Sequence, residues 1–269
     1  MQSFRQNPPY SFRVDANALG GFLEEPFPKA IPTVAPVSLP AVGGFATARS
    51  EAFNLDEIVS CSSAYSRVSG REHHTDGSIS ILTTTVVEDL NLLEVVTAER
   101  VVAQVSISIP AGTTEFQISL TGSRFEGLRL AGRHCQPTLN AKLIPPGGLP
   151  LTWQNVQRAG QSQAKDLIAI FKARGDKDAE QWAQKRHGWM TANPPPPADG
   201  GKLLCSLVDG VDGNDGHIVE IPGFGRIFLG ELRVSYDSVQ LVAIRAELGC
   251  PVKGKVVICG GGGGGQGEN

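Results

Sequence analysis

The 269-residue chain, 41% hydrophobic and 19% charged, has the composition of a globular protein of one large domain or two modest ones, which excludes general disorder. A formal net charge of -3 supplies no chain-wide cationic field, and this disfavours duplex nucleic acid or a polybasic membrane contact. Its apolar runs are broken by charge or proline well short of the roughly 18–20 residues that a membrane-spanning helix needs.

The first ten residues lack the charged start and apolar stretch of a secretory signal, which predicts either an intracellular chain or a signal that this sequence does not include. Residues 1–45 hold seven prolines and are expected to be extended. Leu23, Phe27, Ile31, Val34, Val37 and Leu39 make this segment too apolar for a solvated tail, so it reads as a proline-rich strap packed on a sheet. Residues 46–150 form a β segment: the β-branched runs 78–87, 101–109 and 115–120 alternate in part with period two. Phe116, Ile118 and Leu120 would bury one face, while Glu115, Gln117 and Ser119 point the other way. The stretch 87–96 has helical propensity, but the strands around it argue for extended chain.

After 145–150, rich in proline and glycine, residues 151–192 read as an inserted helical hairpin. Ala164, Leu167, Ile168 and Phe171 follow the i, i+3, i+4, i+7 rule, Gly175 ends the first helix, and Asp178 with Gln181 fits a capping box for the second. Trp153, Trp182 and Trp189 all fall here, beside Arg186 and six other basic residues, so this is the locally basic, aromatic region. Such a set can stack on a sugar or a partner protein; the plainer reading is that the indoles anchor two helices. Residues 193–259, opening on a polyproline linker, complete the β domain, and 260–269 read as a flexible glycine tail with no side chains to bury.

Candidate chemistry is sparse. Asp209, Asp212, Asn214 and Asp215 are hard oxygen donors of the kind calcium prefers, but Val211 and Gly213 occupy positions where an EF-hand needs ligands. An Asp-Gly turn between strands is the better reading, and no cofactor is expected. His73 and His74 are adjacent and would point to opposite faces of a strand; His134, His187 and His217 stand singly. The five cysteines form no C-x-x-C pair. Cys250 and Cys259 flank Gly254-Lys255, and a two-residue turn there would set them opposite each other within disulfide reach. Pro251, which lacks a ladder donor, favours two buried reduced thiols over the bridge.

The runs 83–105 and 122–132, with Ile221 to Leu232 and Ile244 to Gly249, resemble the β core of bacterial choice-of-anchor P proteins over about half the chain. The resemblance implies an envelope-displayed β domain of undetermined biochemical role, with no catalytic residues to carry over, and a cell-surface or secreted location. The resulting expectation is a mainly β, antiparallel sandwich-like domain with an inserted α-helical hairpin, acting as a non-enzymatic structural or interaction module for a protein partner or its own copies. The alternatives are a carbohydrate-binding module using the tryptophans, and a metal-dependent hydrolase with a dispersed site of histidines and the 209–215 loop. Neither a nucleic acid partner nor a membrane span is expected.

Overall fold

A computed structural model describes residues 10–191, 203–211, 214–235, 237–249 and 252–266. The chain opens a first sheet with β1 (Ser11–Glu25), β2 (Lys29–Val34) and β3 (Val37–Ser38). It then builds a second sheet wholly from consecutive strands: β4 (Gly44–Ser50), β5 (Phe53–Leu55), β6 (Val59–Cys61), β7 (Ser63–Glu72), β8 (Ile79–Leu92), β9 (Val96–Ile109), β10 (Gln117–Ser119), β11 (Arg124–Glu126), β12 (Arg129–Leu130) and β13 (Arg133–His134). Next come β14 (Pro137–Leu139), α1 (Trp153–Arg174) and α2 (Lys177–His187). The chain then returns through β15 (Leu203–Ser206), β16 (Val208–Val211), β17 (Asn214–Asp215), β18 (Ile218–Ile221), β19 (Gly225–Val234), β20 (Ser238–Leu248) and β21 (Lys253–Gln266).

The first sheet runs β15-β19-β20-β21-β1-β2, with β18 also on β19 and β3 also on β1. Every pairing is antiparallel, and β14, β16 and β17 form a small third sheet. The two large sheets stack as a sandwich. From β8 and β9 come cross-strand pairs such as Ile81 with Ile107 and Val87 with Val101; from the facing sheet come Val14, Leu241, Ile244 and Ile258. The expected face of Phe116, Ile118 and Leu120 is buried as read, and 87–96 is the extended end of the β8–β9 hairpin. Leu93 and Glu94, at φ +52 and +57, make its turn in the sense that matches strand twist.

The period-two pattern slips along one line across the first sheet. Ala18, Cys259, Ala243 and Gly230 lie opposite one another on β1, β21, β20 and β19, and each is skipped in an otherwise constant register. Cys259 has φ +51 and Gly230 has φ +64, so the strands kink there and the buried face changes phase. On β19, Ile227 and Leu229 point into the sandwich before the line, and Leu232 and Val234 after it. The same step leaves Phe228 and Glu231 together on the outer face beneath α2.

Four expectations need correction. Within the described residues, the segment expected to be a strap is itself part of the sheet: β1 is a fifteen-residue strand hydrogen-bonded to β21 on one side and to β2 and β3 on the other, and residues 1–9 lie outside the described residues. The glycine tail is a strand as far as Gln266, and residues 267–269 lie outside the described residues. Gly260 to Gly265 continue β21 between β1 and β20 and are buried, because backbone pairing on both sides needs no side chain. Gly254-Lys255 is not a turn but the start of that strand, and the hairpin lies between β20 and β21 with Leu248 opposite Gly254. Finally, α2 is capped by Asp176, whose Oδ1 accepts from Ala179 N at 3.0 Å; Asp178 belongs to the first turn. The capping box sits instead on α1, between Thr152 and Asn155, and Gly175 ends α1 in the left-handed conformation as expected.

Candidate functional site

Helix α2 lays its apolar face, Ala179 and Ala183, on Phe171 of α1 and on Ile218 and Phe228 of the sheet. Around that contact the chain gathers its strongest buried charges. Glu231, with 3% of its side chain exposed, accepts from Arg186 of α2 at 2.6 Å and from Arg245 of β20 at 2.5 and 2.8 Å. Arg245 also bonds Glu247 and sets its guanidinium 3.6 Å from the centre of the Phe228 ring. The cations are thus held by a carboxylate in the plane of the guanidinium and by an aromatic face across it.

Trp182 stands at the centre of this packing. Its indole meets Phe171, Phe228 and His187 at 6.2, 5.9 and 6.1 Å between ring centres, with Arg226 4.6 Å from its centre and Arg186 at 5.8 Å. His187 and His217 meet edge to face at 6.5 Å, both buried, and His187 Nε2 finds no hydrogen-bond partner among the described residues. Burial first, and then His217 and Arg186, push the His187 imidazole down to about 3. Burial pushes His217 down to about 4 against the pull of Glu231. Burial alone would raise the Glu231 carboxyl, but Arg245 and Arg186 outweigh it and hold the group down at about 2. At neutral pH the cluster therefore contains one buried carboxylate, several guanidiniums and two neutral imidazoles. Those imidazoles are poor bases, and the set is suited to clamping the helical hairpin onto the sheet.

Of the residues singled out in the sequence, Trp182, Arg186, His187 and His217 enter this cluster, so two of the histidines that stand singly in the sequence meet here. Trp153 packs instead on the main core at the start of α1, and Trp189, 38% exposed, donates its indole N–H to Arg186 O at 3.0 Å. The three indoles stand at separate places, Trp153 and Trp182 packed on the two cores, and Trp182 already carries Arg226 against its ring. Asp209 is exposed and accepts from Gln163 Nε2 at 2.9 Å. Asp212 lies outside the described residues, as do the side chains of Asn214 and Asp215, whose backbones pair with Val211 and Gly210 in a tight hairpin. Among the described residues no group of three or more His, Cys, Asp or Glu side chains is placed to hold a metal. Cys250 lies outside the described residues. Cys259 is a buried free thiol 3.4 Å from Val101 O across the sandwich, pushed up to about 12 by burial. Glu231 and Arg245 carried no sequence signal, since each reads as an ordinary strand charge until the kink at Gly230 turns Glu231 toward Phe228 and Arg245.

A second region lies at one end of the sandwich, where a cleft of about 1000 Å³ is lined by Tyr10, Phe12, Val42, Phe45, Arg71 and His73, among others. Val42 and Phe45 are 86% and 63% exposed, and the Arg67 guanidinium stands 5.7 Å from the centre of the Phe45 ring. His73 Nε2 lies 3.1 Å from Ser80 Oγ and His74 is exposed; the two stand in the loop after β7, not on a strand, and both line this cleft. His134 is exposed on β13.

A family model described as a domain of unknown function, DUF8256, matches residues 10–235. No curated protein and no solved structure matches the chain.

Proposed function

Since the chain belongs to the DUF8256 family, whose description leaves the activity open, we propose from its own residues that it is a non-enzymatic β module that works by binding protein surfaces, those of its own copies first. The observation that carries this reading is the contrast between its interior and its exterior. The charged and aromatic groups with chemical potential, Glu231, Arg186, Arg245, Trp182 and the two histidines, are spent on docking the helical hairpin. Large apolar side chains are meanwhile left on the surface: Phe27 at 79% and Val42 at 86% exposure in turns, and Phe45 at 63% on β4. Scattered apolar residues are ordinary on a monomer, but Val42 and Phe45 line one cleft together, the pattern of an interaction surface. The resemblance to choice-of-anchor P proteins would put such a surface on display at an envelope.

The test is light scattering coupled to size exclusion over a concentration series of the full chain. A mass that rises above the 28.5 kDa of one chain is the expected result. A constant 28.5 kDa up to high concentration would overturn self-association.

A further inference from the structure

Each large sheet has two edges, and three of these four edges are guarded. On the first sheet, β15 is capped by α1: the Gln163 side chain donates to Ser206 O at 2.9 Å and accepts from Ser206 N at 2.7 Å, standing in for a neighbouring strand. At the other end, β2 carries Pro32 and Lys29, residues that block edge-to-edge pairing. On the second sheet, the β9 side is closed by strands of only two or three residues. The remaining edge is β4, seven residues paired to β7 along their whole length and to no strand on the other side among the described residues. It contains no proline and a single charge, Arg49.

The side chains of β4 divide by face. Ala46 and Ala48 pack on the core, while Phe45, Thr47 and Arg49 are exposed on the outside. Two copies of this strand laid antiparallel about an axis through Thr47 bring Phe45 opposite the partner's Arg49, and Arg49 opposite the partner's Phe45. The small Ala46 and Ala48 meet beneath them. A guanidinium beside Phe45 is already the local arrangement within one chain, through Arg67 of β7. The strand is therefore self-complementary in this register and in charge, since every cation faces an aromatic ring and no like charges oppose.

We propose that β4 pairs with β4 of a second copy across a two-fold axis at Thr47, joining the two ten-stranded sheets into one. This rests on the self-association reading above and names its surface.

The experiment is the mass of the full-length chain by light scattering, read alongside circular dichroism to confirm folding. The wild type is expected at twice the mass of one chain. Phe45→Lys puts a lysine opposite Arg49 of the partner at two symmetric places and is expected to halve the mass. Adding Arg49→Glu restores a complementary pair and is expected to return the dimer. Thr47→Cys places two thiols across the axis, and mild oxidation is expected to give a covalent dimer that reductant splits, while the wild type oxidised in the same way gives none; the thiols of Cys61, Cys135, Cys205 and Cys259 are buried, and Cys250 lies outside the described residues. A dimer whose mass is unchanged in Phe45→Lys, with no cross-link at Thr47→Cys, would overturn the β4 edge while leaving self-association standing. A wild type that is monomeric throughout would overturn both.

Discussion

At the residue scale the decisive group is Glu231. A buried carboxylate holding two guanidiniums gives little net stability compared with an apolar core, but removing it strands Arg186 and leaves Arg245 only the part-exposed Glu247 as a counter-charge. Glu231→Ala is therefore expected to lower unfolding free energy by about 3–5 kcal/mol in urea titration, whereas Glu126→Ala, at an exposed pair with Arg124, should change it by less than about 1 kcal/mol. The histidines set a pH dependence of definite sign. Both fold with their pKa below the unfolded value near 6.5, so the unfolded chain binds the extra protons. Stability is then full above about pH 6.5 and falls as the pH drops toward 4, by about 1.4 kcal/mol per pH unit for each imidazole. Glu231, held down at about 2, adds a further loss below its unfolded value near 4.5. Denaturation at pH 7.5, 6, 5 and 4 should show this slope, and His217→Gln should reduce it by about one proton. Trp182 and Arg186 were legible because aromatic and basic residues stand out on a helix. Their partners were not, because a strand charge becomes a core charge only through the kink at Gly230.

At the scale of elements, the glycine strand shows best where sequence reasoning failed. A run of glycine offers nothing for a hydrophobic pattern to detect, and composition points to a tail. Yet a Cβ at Gly262 would stand 2.2 Å from Val239 O, and one at Gly263 would stand 2.8 Å from Ile81 Cγ2. The strand thus fits between its neighbours, and under β8, because it has no side chains. Gly262→Ala must spread β20 from β21 and is expected to cost about 1–3 kcal/mol or more. Gly112→Ala meets open space; it should cost only the strain of its positive φ, roughly 1 kcal/mol. Thermal unfolding of the two variants would separate these effects. Gln163 offers a second element-scale check. Gln163→Ala would uncover both backbone groups of Ser206 and is expected to cost about 1–3 kcal/mol and to speed hydrogen exchange at Ser206 N–H. The helices themselves were readable from Ala164, Leu167 and Phe171 and from the stop at Gly175, since period and cap both act locally.

At the scale of the whole molecule, the sandwich class was legible from the β-branched runs, and the arrangement of the sheets was not. Strands β4 to β13 find partners near them in sequence, so the second sheet is largely a matter of local hairpins. The first sheet joins strands from the two ends of the described chain, and no residue near β1 signals that its partner is β21. This division implies an order of events during synthesis. The second sheet can form while the ribosome is still working, but β1 and β20 must wait, each with an unsatisfied flank, until the glycine segment emerges and slides between them. A product cut short before that segment would keep a slot open in its middle, ready to accept the same ribbon from a neighbour.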